Sequence, residues 1–316
     1  MTVIQSVILG ILQGIAEFLP ISSSGHLAVC QHLFGLEDVP LLYDVMLHIA
    51  TLVAVCIFFR KKIARLFCVL FRWIFRRPSP EGFDNPEDLL SGSEEKGRKT
   101  IIAVIISSFV TAVIGIVTSK LIPEMPLKVT AAGFIVTACL LLFSSFMEKK
   151  RAKGCAVTEQ AEGEEGQAGS AAEGASDKSA ASASCKKSEG LTWLQALIIG
   201  AMQGVGTLPG ISRSGSTIAG AQFCKVPRDA AGEYSFIVSI PAILGAFLLT
   251  LKDYLELRGQ DVAAKIQLVP MIFGCLAAFA FGYIALFLLM KIIKKGKLEW
   301  FACYLIPLGI AGLIFF

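Results

Sequence analysis

The sequence has 316 residues, of which 54% are hydrophobic and only 17% are charged. Soluble domains carry about a quarter charged residues, so this composition excludes an ordinary soluble domain and indicates a membrane protein. The net charge of +4 is concentrated in a few loops, so we expect no nucleic acid partner.

Two apolar stretches, at about 3–34 and 192–224, are interrupted by Pro, Gly and runs of Ser. Neither is typical of one continuous spanning helix, and we interpret both as broken or re-entrant helix pairs. The N-terminus has neither the basic start nor the small-residue cleavage site of a signal peptide, so we expect no cleavage there.

Six further apolar runs have close to the ~20 residues that a bilayer core requires. They lie near 41–60, 101–122, 128–147, 230–251, 268–290 and 298–316. The sequence therefore predicts an all-α polytopic membrane protein with about six transmembrane helices and two broken or re-entrant helix pairs. The nine Cys residues are scattered and form no CxxC pair, so we expect no disulfide framework.

The basic residues indicate the orientation of the chain. Residues 1–59 contain no Lys or Arg, whereas 60–78, 149–153 and 291–297 are strongly basic. Six spans put these three loops on one side, which the positive-inside rule assigns to the cytoplasm, so the first polar stretch opens to the outer side. For the basic, aromatic segment 61–77, two interpretations remain: a helix along the inner membrane surface or a plain basic loop.

An internal repeat organises the chain. An offset of 190 residues aligns "QGIAEFLPISSSGHL" (13–27) with "QGVGTLPGISRSGST" (203–217), with six identities in fifteen positions. Because three spans follow each copy, we predict an inverted-topology repeat in which both broken helices meet near the bilayer midplane.

The repeat divides the chain into three parts. The first repeat, 1–147, contains a flexible cytoplasmic loop at about 78–99, and the second repeat is 191–316. Between them, 148–190 is rich in Ala, Gly, Ser and Glu and has almost no large apolar residues. Such a composition cannot bury a core, so it predicts a disordered cytoplasmic linker.

The two motifs carry polar chemistry in apolar surroundings. Gln13 and Glu17 share a helix face, Pro20 breaks the helix, and the following Ser residues can cap a second helix. A helix N-terminus with hydroxyl groups is a natural seat for phosphate oxygens, and the second motif adds Arg213. Ionised side chains deep in a bilayer cost roughly 2.5–3.5 kcal/mol, so we expect Glu17 and Arg213 to face a wet cavity.

Other interpretations of these residues stay open. Glu17 and Arg213 could pair only to lock the two halves together, and some of the hydroxyls serve as helix caps in any case. We take His26 as a functional candidate, whereas His32 and His48 are more typical of packing or hydrogen-bonding residues.

The combined inventory of nucleophile, imidazole, carboxylate and cation favours phosphoryl transfer on an amphiphilic phosphate ester. The alternative is an inverted-repeat transporter of a lipid phosphate or a small anion.

The motifs "QGIAEFLPISSSGH" and "PGISRSGST" resemble the two signature motifs of the undecaprenyl-diphosphatase, or bacitracin-resistance, family. The resemblance spans nearly the whole chain apart from the linker. It implies a multi-pass enzyme of the bacterial plasma (inner) membrane that converts undecaprenyl diphosphate to undecaprenyl phosphate and inorganic phosphate. This reaction recycles the carrier lipid for peptidoglycan synthesis and confers bacitracin resistance.

The resemblance also implies roles for individual residues. Ser23 is the nucleophile or orients an attacking water, His26 is the acid or base, Arg213 is the phosphate clamp, and Glu17 is a metal ligand or proton acceptor. The phosphate-binding hydroxyls are those of Ser22, Ser24, Ser212, Ser214 and Thr217.

The implied cofactor is Mg²⁺ or another hard divalent cation such as Ca²⁺, held by Glu17 and Gln13. Many relatives carry Glu where this chain has Gln13, so one ligand charge is missing. The expected partners are a polyprenyl diphosphate lipid and membrane lipids, and a homodimer is one compatible assembly.

Overall fold

The computed structural model describes residues 1–36, 39, 41–78, 85, 87–121, 126–165, 190–256 and 267–316. The described residues form eleven α-helices and no strand. The helices are α1 Val3–Phe18, α2 Ser23–Leu33, α3 Leu41–Phe58, α4 Arg60–Phe75, α5 Glu94–Leu121, α6 Leu127–Glu165, α7 Trp193–Val205, α8 Arg213–Phe223, α9 Arg228–Glu256, α10 Leu268–Lys294 and α11 Trp300–Phe315.

The six predicted spans coincide with helices α3, α5, α6, α9, α10 and α11. Within the described part of the chain, α5, α6, α9 and α10 are each long and apolar enough to cross a membrane. Helices α3 and α4 qualify as a pair that bends by 79°, and α11 is a shorter apolar helix of 16 residues. The chain is therefore an all-α, multi-pass membrane protein.

Both interrupted stretches are broken helix pairs, α1–α2 and α7–α8. Thr2 and Thr192 each cap the first helix of a pair, in a capping box with the residue three positions later. The second helix of each pair has 11 residues. Because these features recur at an offset of 190, the two halves share local structure well beyond the six identical residues of the motifs.

Each broken pair packs its first helix against a span of the other half. Helix α1 lies against α10, and its counterpart α7 lies against α5. Glycines allow both close approaches: a Cβ at Gly14 would lie 2.6 Å from the Ala278 carbonyl oxygen, and a Cβ at Gly204 would lie 2.7 Å from Ile114 Cβ. Since α1 corresponds to α7 and α5 to α10, this reciprocal packing is the pattern expected of two related halves. Their opposite orientation in the membrane stays a prediction.

The basic segment after α3 is a helix, not a plain loop. One side of α4 buries Leu66 and Val69, whereas Phe67, Phe71 and Ile74 are exposed. This amphipathic distribution is typical of a helix that lies in the interface of a membrane.

The segment predicted as a flexible loop differs in its second part. Leu90 and Ser91 are completely buried, and the Thr100 hydroxyl donates to the Leu90 carbonyl oxygen at 2.7 Å. Helix α5 begins at Glu94 rather than near 101 because its charged first turns form i,i+4 pairs, such as Lys99 with Glu95 at 2.7 Å. Residues 79–84 and 86 lie outside the described residues.

The linker prediction covers a segment that the structure describes only in part. Helix α6 continues to Glu165, so the first residues of the predicted 148–190 linker are helical. Residues 166–189 lie outside the described residues. The helix continues because Ala, Glu, Lys and Arg, which are frequent in 148–165, are strong helix formers even where no core can form.

Candidate active site

The carboxylate of Glu17, in the last turn of α1, is the centre of the candidate site. The Ser23 hydroxyl donates to Glu17 Oε2 at 2.6 Å, and Gln13 Nε2 donates to the same oxygen at 3.1 Å. The Arg213 guanidinium forms an ion pair with Glu17 Oε1, and His48 Nε2 lies 3.5 Å from Oε2. One carboxylate thus joins α1, α2, α3 and α8.

The two helix breaks position the side chains around Glu17. Ser22 caps α2 by accepting from the Gly25 N–H, and Ser212 caps α8 by accepting from the Gly215 N–H. The next residues, Ser23 and Arg213, are therefore the first residues of the two helices. Since helix N-termini carry partial positive charge, two of them close to one site favour bound anions.

The site opens into a cavity of about 240 Å³. Its polar lining residues are Glu17, Ser23, Ser24, His48, Thr207, Ser212 and Arg213. Its apolar lining residues include Val45, Ile211 and Ile243. A cavity lined by both polar and apolar side chains suits the head of an amphiphilic molecule.

Glu17 and Arg213 also line a second, smaller cavity. The smaller cavity has a volume of about 10 Å³ and is lined by Ser214, Thr217 and Ser235 among others. The Thr217 hydroxyl contacts the Arg213 carbonyl oxygen at 2.9 Å and the Ser235 hydroxyl. Of the predicted phosphate-binding hydroxyls, Ser24 and Ser212 therefore line the larger cavity, Ser214 and Thr217 line the smaller one, and Ser22 is a buried cap.

His26 lies apart from the carboxylate, although the sequence analysis grouped the two. Its Nδ1 is 2.7 Å from the Ser22 carbonyl oxygen and its Nε2 is 2.8 Å from the Tyr304 hydroxyl. The ring is 8% exposed and packs between the rings of Phe134 and Tyr304. Both ring nitrogens are thus engaged away from Glu17.

The backbone of Ser22 is strained. Its φ is +71°, in the left-handed region that costs a residue with a Cβ on the order of 1–3 kcal/mol. The equivalent cap Ser212 has an ordinary φ of −75°. Of these two equivalent caps, the one before Ser23 is therefore the strained one.

The residue that the sequence analysis undervalued is His48. The structure places its ring against Glu17 and in the lining of the larger cavity, whereas the sequence favoured a packing or hydrogen-bonding residue outside the candidate site. Its Nδ1 lies 2.7 Å from the Asp44 carbonyl oxygen, which fixes the ring. The available signal was an ionisable side chain in the middle of an apolar span, which is by default a functional candidate.

The donor set can be compared with the needs of a divalent cation. Among the described residues, no three His, Cys, Asp or Glu side chains cluster closely enough to hold a metal by themselves. Mg²⁺ is, however, commonly held by one or two carboxylates together with substrate phosphates. Glu17 provides one carboxylate, and within the described part of the chain the buried Gln13 Oε1 beside it has no hydrogen-bond partner. These two residues are suitable ligands for a cation whose other ligands are mainly substrate oxygens.

Comparison with known proteins identifies the family of this chain. The sequence model of the family described as "Bacitracin resistance protein BacA" matches residues 6–311. An undecaprenyl-diphosphatase of Treponema denticola is 40% identical over 316 residues, which cover 100% of this chain and 98% of the relative. Undecaprenyl-diphosphatases of Methanosphaera stadtmanae and Carboxydothermus hydrogenoformans are 34% and 33% identical, and each alignment covers at least 98% of this chain and 96% of the relative. The chain belongs to the bacitracin resistance protein BacA family.

Proposed function

We propose that this protein is a membrane phosphatase that hydrolyses undecaprenyl diphosphate to undecaprenyl phosphate and inorganic phosphate. The observation that carries the proposal is the contact of the Ser23 hydroxyl with Glu17, 2.6 Å apart, beside Arg213 and at the wall of the larger cavity. The relatives are named for the same hydrolysis, which favours the enzyme over the transporter alternative.

Substrate binding follows from the charges at the cavity. A diphosphate head needs cationic and N–H donors, and the Arg213 guanidinium has five N–H groups for planar, bidentate contacts with phosphate oxygens. Ser24 and Ser212 add hydroxyl groups to the lining of the same cavity. The apolar side chains of Ile211 and Ile243 in this lining accommodate the start of the polyprenyl chain.

The proton of the Ser23 hydroxyl already points to Glu17, which makes this carboxylate the proton acceptor. The Ser23 oxygen forms a bond to the terminal phosphorus while the bond from that phosphorus to the bridging oxygen breaks. Undecaprenyl phosphate leaves, and the Ser23 proton passes to Glu17. A water oxygen then forms a bond to the phosphorus while the bond from the phosphorus to the Ser23 oxygen breaks. Glu17 returns its proton to the Ser23 oxygen, and inorganic phosphate leaves with the hydrogens of the water.

A second route uses the same residues without a covalent step. In that route Ser23 only orients a water molecule, which attacks the phosphorus. A phosphorylated Ser23 trapped by rapid quenching supports the covalent route, and its absence during active turnover favours the water route.

A divalent cation completes the proposed site. Glu17 and Gln13 would hold it together with diphosphate oxygens, and when bound it neutralises charge that develops on those oxygens. We propose Mg²⁺, with Ca²⁺ as the alternative hard cation.

The cellular setting is also a proposal. Recycling of the carrier lipid serves cell-wall synthesis and gives bacitracin resistance. The basic loops favour a plasma membrane orientation in which these loops face the cytoplasm and the larger cavity opens to the outer side. A homodimer is the assembly to be tested by mass measurement in detergent.

The proposal is tested by phosphate release from farnesyl and undecaprenyl diphosphate by the purified protein in detergent. We expect Mg²⁺-dependent release by the wild type, its loss in EDTA, and near-complete loss in Glu17→Ala and Arg213→Ala. A folded wild type that releases no phosphate with either cation contradicts the proposal and makes the transporter the leading hypothesis.

A further inference from the structure

His26 and Tyr304 form a connected pair behind the N-terminus of α2. The His26 Nδ1 lies 2.7 Å from the Ser22 carbonyl oxygen. A carbonyl oxygen can only accept, so Nδ1 carries the ring proton and donates it. In the neutral ring, Nε2 then accepts from the Tyr304 hydroxyl at 2.8 Å. The hydroxyl of Tyr304, which lies on α11, thereby helps to select which nitrogen of the His26 ring holds the proton.

The carbonyl group that His26 holds belongs to the strained residue. Ser22 has a φ of +71°, and the adjacent residue is Ser23, whose hydroxyl lies 2.6 Å from Glu17. A contact that holds the Ser22 peptide group in this conformation also sets where α2 begins and where the Ser23 side chain points.

The second half of the protein provides an internal comparison. Ser216 is the residue equivalent to His26. Both residues donate their main-chain N–H to the cap carbonyl oxygen, His26 to Ser22 at 3.2 Å and Ser216 to Ser212 at 2.8 Å. The Ser216 hydroxyl is buried and has no hydrogen-bond partner among the residues that the structure describes. Ser212 has an ordinary φ of −75°. A side-chain bond to the cap carbonyl thus accompanies the strained cap and is not made at the relaxed one.

We infer that His26 is a positioning residue, oriented by Tyr304, that holds Ser22 in its strained conformation and so aims Ser23 at Glu17. This inference rests on the proposed phosphatase function and changes the role of His26 within it. The imidazole donates one hydrogen bond to the backbone throughout the reaction and does not exchange a proton with the substrate. Tyr304, on the last helix, becomes part of the machinery that prepares the nucleophile.

Side-chain isosteres separate positioning from acid–base chemistry. Asn places an N–H donor at the position of His Nδ1, so His26→Asn can still donate to the Ser22 carbonyl oxygen, whereas Gln places its amide near the position of Nε2. Without the hydrogen bond from residue 26, Ser22 relaxes from its strained conformation, and the Ser23 hydroxyl is then rarely oriented towards Glu17. We therefore expect His26→Ala and His26→Gln to lose about 10- to 100-fold in kcat. KM should stay within about twofold, because Ser23 acts on bound substrate.

Rescue by Asn is the decisive outcome. We expect His26→Asn to keep kcat within about fivefold of wild type and to keep the shape of its pH–rate profile, since no proton transfer by residue 26 is involved. Tyr304→Phe keeps the ring stack and removes only the hydroxyl, and we expect a loss of about 3- to 10-fold in kcat. Ser216→Ala at the equivalent position is the matched control, with unchanged kcat.

Thermal unfolding in detergent, measured for each variant, identifies those that fold. A folded His26→Asn protein as inactive as His26→Ala overturns the inference, as does a His26→Gln protein as active as His26→Asn. An unchanged kcat in Tyr304→Phe contradicts the inferred role of Tyr304 in orienting His26, even if the His26→Asn variant fails to fold. A wild type without phosphatase activity contradicts the proposed function instead, so the two failures are distinguishable.

Discussion

Replacement of Glu17 by Gln perturbs the site with the smallest change of shape. The variant keeps the length of the side chain but cannot take the proton of Ser23, and loss of a general base typically reduces the rate by about 100- to 10,000-fold. It also leaves Arg213 without its counterion. Breaking a buried ion pair costs roughly 3–5 kcal/mol. Because the Arg213 side chain is 21% exposed and borders the cavity, hydration compensates in part, and we expect a loss of about 2 kcal/mol.

Two measurements on purified protein separate these effects. Phosphate release gives kcat, and thermal unfolding in the same detergent gives the change in stability. The control is Glu299→Gln, which removes a carboxylate that pairs with Lys149 at 2.6 Å, where the two side chains are 29% and 60% exposed. We expect the control to keep wild-type kcat and to lose at most about 1 kcal/mol of stability. A Glu17→Gln protein with kcat within about threefold of wild type refutes the role of Glu17 as proton acceptor.

Three further predictions concern other parts of the molecule. Gln13→Ala should reduce kcat less than Glu17→Ala, because a neutral amide supplies only a ligand oxygen; equal kcat losses in folded variants would contradict this ranking. Gly14→Ala should destabilise by about 1–3 kcal/mol through the clash with α10, whereas Gly115→Ala, which has open space for a Cβ, should stabilise by about 0.5–1 kcal/mol; thermal unfolding in detergent checks both signs. Burial raises the pKa of Asp88, but the hydrogen bond from Ser91 and the charge of Lys62 outweigh this effect and lower the pKa below its ordinary 3.8. The ionised Asp88 therefore stabilises the fold above pH 3.8, and this stabilisation is lost as the pH falls through the lowered pKa. Asp88→Asn should therefore unfold at a lower temperature than wild type at pH 7, and this difference should shrink at about pH 3; a constant difference would refute the assignment.

The sequence predicted the parts of the site that follow from local patterns. Pro20 and the Ser runs located the helix breaks, and the cost of a charge in the bilayer singled out Glu17 and Arg213. The structure places these two side chains in contact, which the sequence analysis had offered only as an alternative. Ser22 was likewise among the predicted caps, because a hydroxyl before a helix is a local signal. Ser212 was predicted only to bind phosphate, and the structure shows that it caps α8.

The sequence could not rank the histidines, because their surroundings are set by tertiary contacts. His26 is only three residues from Ser23, yet it turns towards Tyr304, which is 278 residues away in the chain. His48 lies in a separate span and reaches Glu17 only when α3 packs beside α1. The sequence favoured His26 as the functional imidazole, whereas tertiary contacts place His48 beside the Glu17 carboxylate.

The start of α5 was missed for a different reason. Hydropathy excluded the charged residues 94–99 from the predicted span, but a helix can continue into water where oppositely charged residues pair along one face. A search for apolar runs finds the part of a helix inside the membrane and underestimates its total length.

The most direct test of the central claim is turnover of undecaprenyl diphosphate by wild-type protein and Ser23→Ala in proteoliposomes with Mg²⁺, with both products identified by mass spectrometry. The account predicts equal amounts of undecaprenyl phosphate and inorganic phosphate from the wild type and almost none from folded Ser23→Ala. Wild-type vesicles that leave the diphosphate intact, or a Ser23→Ala protein as active as wild type, would contradict it.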